Sequence, residues 1–398
     1  MNRSILKSIR SNEFENSLSL LNIKQDLLRT IKKTLFDKQI QEDQLLLKQS
    51  IKDYDCLCST LNKLKLETDL VEALKNLFYI DSDLNLPQKL RNIFDTSPKI
   101  AIFVGAGISK LCNVPLWDEL ANLAIKKLRD MNYVNDSEYN ALLNEHSAKQ
   151  KISIFHSIVK DEKEIKKFYT ENLKCSDPSL NPYRLLYKLE SATNKQFLKI
   201  TTNIDTCWED ILEKLSKEDS LKSSKDGKNI SVNYEYSGVS YMGHSKNTEL
   251  KLSELYKIHG CVSHIFDDPA VLTSREYIKA YSDEKGLRGF LKEVFSKYDV
   301  IFLGTSLQEF ELLEHCLKKN STERLALLPV RYSTDNLFRV KKSYFEDQLN
   351  ITPIKYYSDF QSYDRLSLVL ERWIDDLKAN RPTNFYDKLK TIDEALNA

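Results

Sequence analysis

Six short runs of β-branched or apolar residues, each closing on a small or polar group, constrain this chain more than any other feature. They are KIAIFV (99 to 104), QFLKITT (196 to 202), ELYKI (254 to 258), YDVIFLG (298 to 304), RLALLPV (324 to 330) and ITPIKYY (351 to 357). Runs this brief suit buried parallel strands, and their alternation with helical patterns predicts an α/β fold with a doubly wound parallel sheet. After the first run, Trp117, Leu120, Ala121, Ala124 and Leu128 share one helical face, and Pro115 sits near the start, where its missing N–H costs nothing. After the last run, Leu366, Val369, Leu370, Trp373 and Leu377 do the same. Both helices are expected to cover a sheet.

The first 95 residues differ in texture. They hold no glycine, and leucines and isoleucines recur at helical spacing among charged residues, which predicts an all-helical domain for oligomerisation or partner binding. Residues 96–398 then form the sheet-bearing domain. Within it, residues 130–195 read as a helical insertion, and the polar stretch 216–250 reads as a long loop or hairpin. A net charge of +1 gives no general attraction to nucleic acid or anionic lipid. The seven cysteines are scattered, with no CxxC pair, so neither a disulfide framework nor a zinc site is expected, and no metal ligands are assigned. With neither a leader pattern nor an apolar stretch of membrane length, the expected location is a reducing cytoplasm.

In an open α/β sheet the carboxyl ends of the strands carry the ligand site. Four such ends here are chemically distinctive. GAGIS (105 to 109) offers glycines for close backbone approach to a phosphate, although Lys110 stands where a GxGxxG pattern has its third glycine. TTNID (201 to 205) brings out an Asn and an Asp; Thr206 to Glu209 also fits a capping box for the next helix. His259 directly follows an apolar strand and precedes Gly260, a setting suited to a general base. FLGTS (302 to 306) supplies Gly304 and the hydroxyls of Thr305 and Ser306, while Ser306 to Glu309 again fits a capping box. Four of the nine glycines lie in these segments, and the segments recur in order on successive strands.

The ordered set GAGIS, TTNID, HG and GTS, over roughly residues 95 to 380, resembles the sirtuin superfamily. The resemblance implies a Rossmann-like sheet that binds NAD+. It also implies roles. Gly105, Ala106, Gly107 and Ser109 would hold phosphates, with Asp118 and Asp205 among the cofactor contacts. Asn203 would order the ribose or a water, His259 would act as base, and Gly304, Thr305 and Ser306 would hold the adenosine side. Two departures bear on the reaction. Protein-deacylating sirtuins carry two CxxC pairs after HG, whereas only Cys261 and Cys316 follow here, so no zinc is implied. They also carry a Pro-Asp-Phe-Arg segment, where this chain reads Val114-Pro115-Leu116-Trp117-Asp118. That segment and VLTSREYIKAY (271 to 281) are similar to the sirtuin-like effectors of bacterial antiphage defence, which hydrolyse NAD+. Length and a helical N-terminus most resemble the subunit that works beside a HerA-type ATPase.

The resemblance thus implies hydrolysis of the nicotinamide N-glycosidic bond, with Asn203 and His259 as the catalytic residues, NAD+ as substrate and a homo-oligomer built through the N-terminal region. Nicotinamide is already a cationic leaving group, so the protein has to position the ribose, exclude bulk water and admit one nucleophile. Two other readings stay open: a zinc-free deacylase or ADP-ribosyl transferase, and a non-catalytic NAD-sensing subunit that gates a partner ATPase or nuclease.

Overall fold

The computed structural model describes residues 85–178, 180–215, 238–241, 250–264, 270–284, 286–317, 321–331, 335–358 and 365–379. The helical expectation for residues 1–95 falls largely outside them. The chain divides into two compact units, Pro87–Leu328 with Asn336–Lys355, and Met1–Leu86 with Pro329–Asp335 and Tyr356–Ala398.

The first unit carries the sheet. All six expected runs are strands: β1 (Ile100–Val104), β2 (Leu198–Thr201), β4 (Glu254–Lys257), β5 (Asp299–Leu303), β6 (Arg324–Val330) and β7 (Thr352–Tyr357). A seventh strand, β3 (Gly238–Tyr241), lies in the stretch read as a loop or hairpin. It pairs parallel with β4, a partner that a four-residue polar segment could not announce. The order is β3-β4-β2-β1-β5-β6-β7, and every registered pair is parallel. This is the Rossmann-like α/β architecture expected. From β1 the chain builds outward through β2 and then crosses back to place β5 on the other side of β1. The reversal leaves a crevice at the carboxyl ends of β1 and β5, where such sheets bind ligands.

All five residues of β1 are buried, which explains why its run shows no alternation of apolar and polar residues; β2 alternates, yet all four of its residues are buried, Lys199 pairing with Glu190 at 3.0 Å and Thr201 Oγ1 donating to Val104 O. Phe103 and Phe302 meet across the strands with ring centroids 5.4 Å apart, and Phe295 stacks on Phe302 at 5.9 Å. Each such ring removed from water contributes about 1.5–3 kcal/mol.

Helices flank the sheet in sequence: α1 (Gln88–Thr96), α2 (Ala106–Lys110) and α3 (Trp117–Asp130) around β1, then α4 (Asp136–Glu145), α5 (Ala148–Ile158), α6 (Glu162–Asn172) and α7 (Pro182–Thr193). The last four lie within residues 130–195, the stretch read as helical. Their boundaries are written in their caps. Asn135 and Ser147 open capping boxes with Glu138 and Gln150, Asp161 accepts from Lys163 N, and Asn181 accepts from Tyr183 N with Pro182 at the first helical position. On α3, Leu120, Ala121, Ala124, Ile125 and Leu128 are buried. Helix α8 begins at residue 207, and α9 (Ser274–Ser282), α10 (Leu287–Lys297), α11 (Phe310–Leu313) and α12 (Asp335–Leu349) complete this unit. In the other unit, α13 (Arg365–Lys378) buries Leu366, Val369, Leu370 and Trp373, and the Leu86 amide donates to Asp376 at 2.9 Å. Among the described residues, no helix is long and apolar enough to cross a membrane.

Three glycines join the β1 and β5 exits. A Cβ on Gly105 would stand 2.7 Å from Gly304 O, one on Gly107 would stand 2.8 Å from the same atom, and one on Gly304 would stand 2.5 Å from Ile108 N. Gly304 also has φ +65°, where a side chain is strained. Gly304→Ala should therefore lower the unfolding free energy by about 2–5 kcal/mol, left-handed strain and overpacking acting together. Urea unfolding followed by circular dichroism measures it, and a loss below 1 kcal/mol contradicts the interlock.

Candidate active site

The four distinctive segments emerge side by side at the carboxyl ends of β4, β2, β1 and β5. The two glycine loops touch directly: Gly105 N donates to Leu303 O at 2.9 Å, and Gly107 N donates to Gly304 O at 2.8 Å. These two amides are therefore committed to main-chain carbonyls. Ala106 opens α2, a helix of only five residues.

Behind the loop lies a buried polar network. Ser109 Oγ donates to Asp205 Oδ2 at 2.7 Å, stands 2.7 Å from the Tyr183 hydroxyl, and accepts from Asn203 Nδ2 at 2.8 Å. A serine hydroxyl has one proton and two lone pairs, so Ser109 is saturated within the protein and braces the loop from behind. Asp205 is fixed from both sides, its Oδ1 accepting from Cys207 N at 3.0 Å. Asn203 Nδ2 also donates to Gly105 O at 3.0 Å, tying β2's exit to β1's. Asn203 Oδ1 has no partner among the described residues.

Both expected capping boxes are corrected here. Thr206 to Glu209 is not one, since Asp205 caps α8 and the Glu209 carboxylate instead meets Lys257 Nζ at 2.8 and 2.9 Å. Lys257, the last residue of β4, is buried and also donates to Asp205 O. The pair comes together only when β4 docks beside β2, so local spacing could not reveal it. Ser306 to Glu309 is not one either: Leu307 takes φ +52° and the helix starts at Phe310. Ser306 is exposed, whereas Thr305 Oγ1 is buried without a partner. Asp118 is exposed on the first turn of α3 and joins none of these bonds.

The cysteine expectation is corrected as well. Cys175 and Cys207, 32 residues apart, form a disulfide beside Asp205. Separation and lack of a CxxC pair hid a contact that the α6–α7 connection and the α8 start create in space.

His259 leaves β4 through Gly260, whose φ is +79°. It is 3% exposed. Its Nε2 lies 2.8 Å from the Tyr281 hydroxyl and its Nδ1 lies 3.4 Å from the Tyr277 hydroxyl. Those tyrosines are one helical turn apart on α9, whose start is fixed by a Thr273–Glu276 capping box. Burial, reinforced by the Lys149 ammonium, pushes the imidazole down to about 3, so it is neutral across the physiological range.

One group here was read from the sequence only as a cap. Glu309 Oε2 is closed off from solvent with no partner. Burial pushes the carboxyl up to about 7, with Lys149 pulling it down and Glu311 pushing it further up. A lone glutamate after a GTS segment carries no sequence signal for this.

For a dinucleotide, the fit rests on Thr305 Oγ1 and Asn203 Oδ1. These are a buried hydroxyl and an amide oxygen, both without partners among the described residues, at the exits flanking the Gly105 loop. Residues 198–354 match the family model of the SIR2-like domain. Over that span the chain is similar to SIR2-like domains. The span holds Asn203, Asp205, His259, Gly304, Thr305 and Ser306, while Gly105, Ala106, Gly107, Ser109 and Asp118 precede it. This similarity fits a NAD-related function. No curated protein matches the chain.

Two outcomes follow from the geometry. The unfolded imidazole titrates near 6.5 and the folded one near 3, so the unfolded state binds more protons between those values. The stability His259 contributes is present above pH 6.5 and lost as pH falls toward 3. Wild type minus His259→Gln should show that slope, at most about 1.4 kcal/mol per pH unit, in urea melts, and a flat difference refutes it. Cys207→Ser should cost about 3–4 kcal/mol more under oxidising conditions than under reductant, since the closed loop spans 32 residues.

Proposed function

We propose that this chain hydrolyses NAD+ to nicotinamide and ADP-ribose, and that it does so as a NAD-depleting effector of antiphage defence. One observation carries the reading: Thr305 Oγ1 and Asn203 Oδ1, unpartnered among the described residues, flank the glycine loop at the point where the strand order reverses. A ligand bridging these exits needs hydroxyls or phosphate oxygens for Thr305, and a hydroxyl or water proton for Asn203, which the ribose of a dinucleotide or the attacking water supplies.

The residues divide the work by chemistry. Asn203, with its amide nitrogen held by Gly105 O and Ser109, presents a fixed oxygen to a ribose hydroxyl or to the water. Neutral His259 is clasped between Tyr277 and Tyr281 at the exit of β4. Gly105, Gly107 and Gly304 hold the two loops in direct contact, and a site that excludes bulk water favours a single positioned nucleophile. Cleavage releases a neutral nicotinamide from a cationic precursor, so no acid is required at the leaving group.

The reading extends to assembly. Residues 1–95 are assigned to homo-oligomer formation or to a HerA-type ATPase partner on length and helical composition alone.

Chromatography of the purified chain with NAD+ and no acyl-lysine acceptor tests the reaction, with and without the ATPase. Nicotinamide and ADP-ribose should accumulate, and Asn203→Ala should reduce their formation by at least 100-fold while the circular dichroism spectrum stays unchanged. Turnover that begins only on adding an acylated peptide points to the deacylase reading. NAD+ binding without turnover points to the sensor.

A further inference from the structure

We propose that Glu309, rather than His259, takes up the proton of the water that attacks the ribose. The inference rests on the NAD+ hydrolysis reading and assigns a catalytic residue within it.

Geometry separates the two candidates. Both His259 ring nitrogens already face tyrosine hydroxyls, Nε2 toward Tyr281 at 2.8 Å and Nδ1 toward Tyr277 at 3.4 Å. A neutral imidazole has one donor and one acceptor, so these contacts leave no free lone pair for a water. Glu309 is the opposite case. Its Oε2 is shut away from bulk solvent with no hydrogen bond, an arrangement that is costly unless something else fills the place.

The backbone adds an independent observation. Between the Gly304 turn and Glu309, Leu307 adopts φ +52°. That conformation costs a bulky residue about 1–2 kcal/mol and occurs mainly where the surroundings over-determine it. Gly304 is pinned against Gly107 and Ile108, and the Glu309 carbonyl accepts from the Leu312 and Leu313 amides. The strained Leu307 therefore lies in a segment held at both ends, between Gly304 and Glu309.

The groups facing this carboxyl also suit a proton acceptor. Lys149 of α5 stands 3.9 Å from the Tyr277 ring centroid and 3.1 Å from Glu311 Oε1, and its charge acts on Glu309 and on His259. Tyr277 and Tyr281 of α9 both feel Glu309, and both stay protonated well above neutrality because they are buried. Lys149 favours the charged carboxylate, while burial and Glu311 oppose it. The outcome near 7 matches the poise of an effective general base.

The step balances. Water oxygen forms the bond to the anomeric carbon, the bond to nicotinamide nitrogen breaks with its electron pair neutralising the ring, and one water proton passes to the Glu309 carboxylate and then to solvent. Because the base must be ionised, the rate should rise with pH through about 7 and level off above it.

The test compares wild type, Glu309→Gln, Glu309→Asp and His259→Gln by the pH dependence of kcat for nicotinamide release. Glu309→Gln should lose 10²- to 10⁴-fold and the limb near 7. Glu309→Asp should keep a limb at reduced height, and His259→Gln should keep the limb at its wild-type position. Two readouts stand apart from turnover. Calorimetry should show unchanged NAD+ affinity in Glu309→Gln, and infrared difference spectra should show a carboxyl band titrating near pH 7 in wild type that vanishes in that variant. A limb that survives in Glu309→Gln, or one that disappears in His259→Gln alone, overturns the assignment, as does a wild-type spectrum without the titrating band. If the wild-type chain releases no nicotinamide under any condition, the hydrolase reading itself falls and takes this step with it.

Discussion

At the exits of β1 and β5, Gly107 N donates to Gly304 O at 2.8 Å, and no Cβ fits on Gly105, Gly107 or Gly304 without striking the facing backbone. Everything chemically distinctive is hung from this contact. It sets the mouth of the crevice, delivers Thr305 to its edge, and fixes where the chain begins its run to Glu309. The same contact changes what the glycines are for. In a phosphate-binding loop, glycine lets a ligand approach; here it first lets one loop approach another.

Around that contact the polar groups fall into two populations. Ser109, Asp205, Tyr183, Lys257 and Glu209 are buried and bonded to one another or to main chain, so they hold shape. A buried pair such as Lys257–Glu209 adds little net stability over an apolar pair, but losing one member leaves an uncompensated charge. Asn203, Thr305 and Glu309 each retain an atom with no protein partner. Unsatisfied buried polar atoms are uncommon in folded proteins, and Thr305 Oγ1 and Glu309 Oε2 are two of them within five residues of Gly304.

Much of the scaffold was legible in the sequence because its signals are local. KIAIFV, QFLKITT, ELYKI, YDVIFLG, RLALLPV and ITPIKYY became β1, β2, β4, β5, β6 and β7, since uninterrupted apolar runs have few alternatives to a buried strand. The helices between β1 and β2 start at local caps, Asn135, Ser147, Asp161 and Asn181, which the structure shows accepting from the first-turn amides. The short polar strand β3 carried no such signal and exists through its pairing with β4. Thr206 to Glu209 and Ser306 to Glu309 had the right spacing for caps, yet Glu209 found Lys257 and Glu309 was carried inward past a strained Leu307. Cys175 and Cys207 looked unrelated until folding set their Cα atoms 5.5 Å apart.

The sequence by itself determined which residues stand at the strand ends, because strand length and punctuation are properties of neighbours along the chain. GAGIS, TTNID, HG and GTS could therefore be placed at adjoining strand ends, and a resemblance to sirtuins read from them, before any coordinates. Only the tertiary structure decided which of those groups are bonded to one another and which are left with unused hydrogen-bonding atoms. Ser109 is saturated and His259 is clasped by Tyr277 and Tyr281, whereas Thr305, Asn203 and Glu309 keep open valences. Hydrogen-bond saturation depends on partners that are distant in sequence. It is settled only when β1, β2, β4 and β5 bring those partners together.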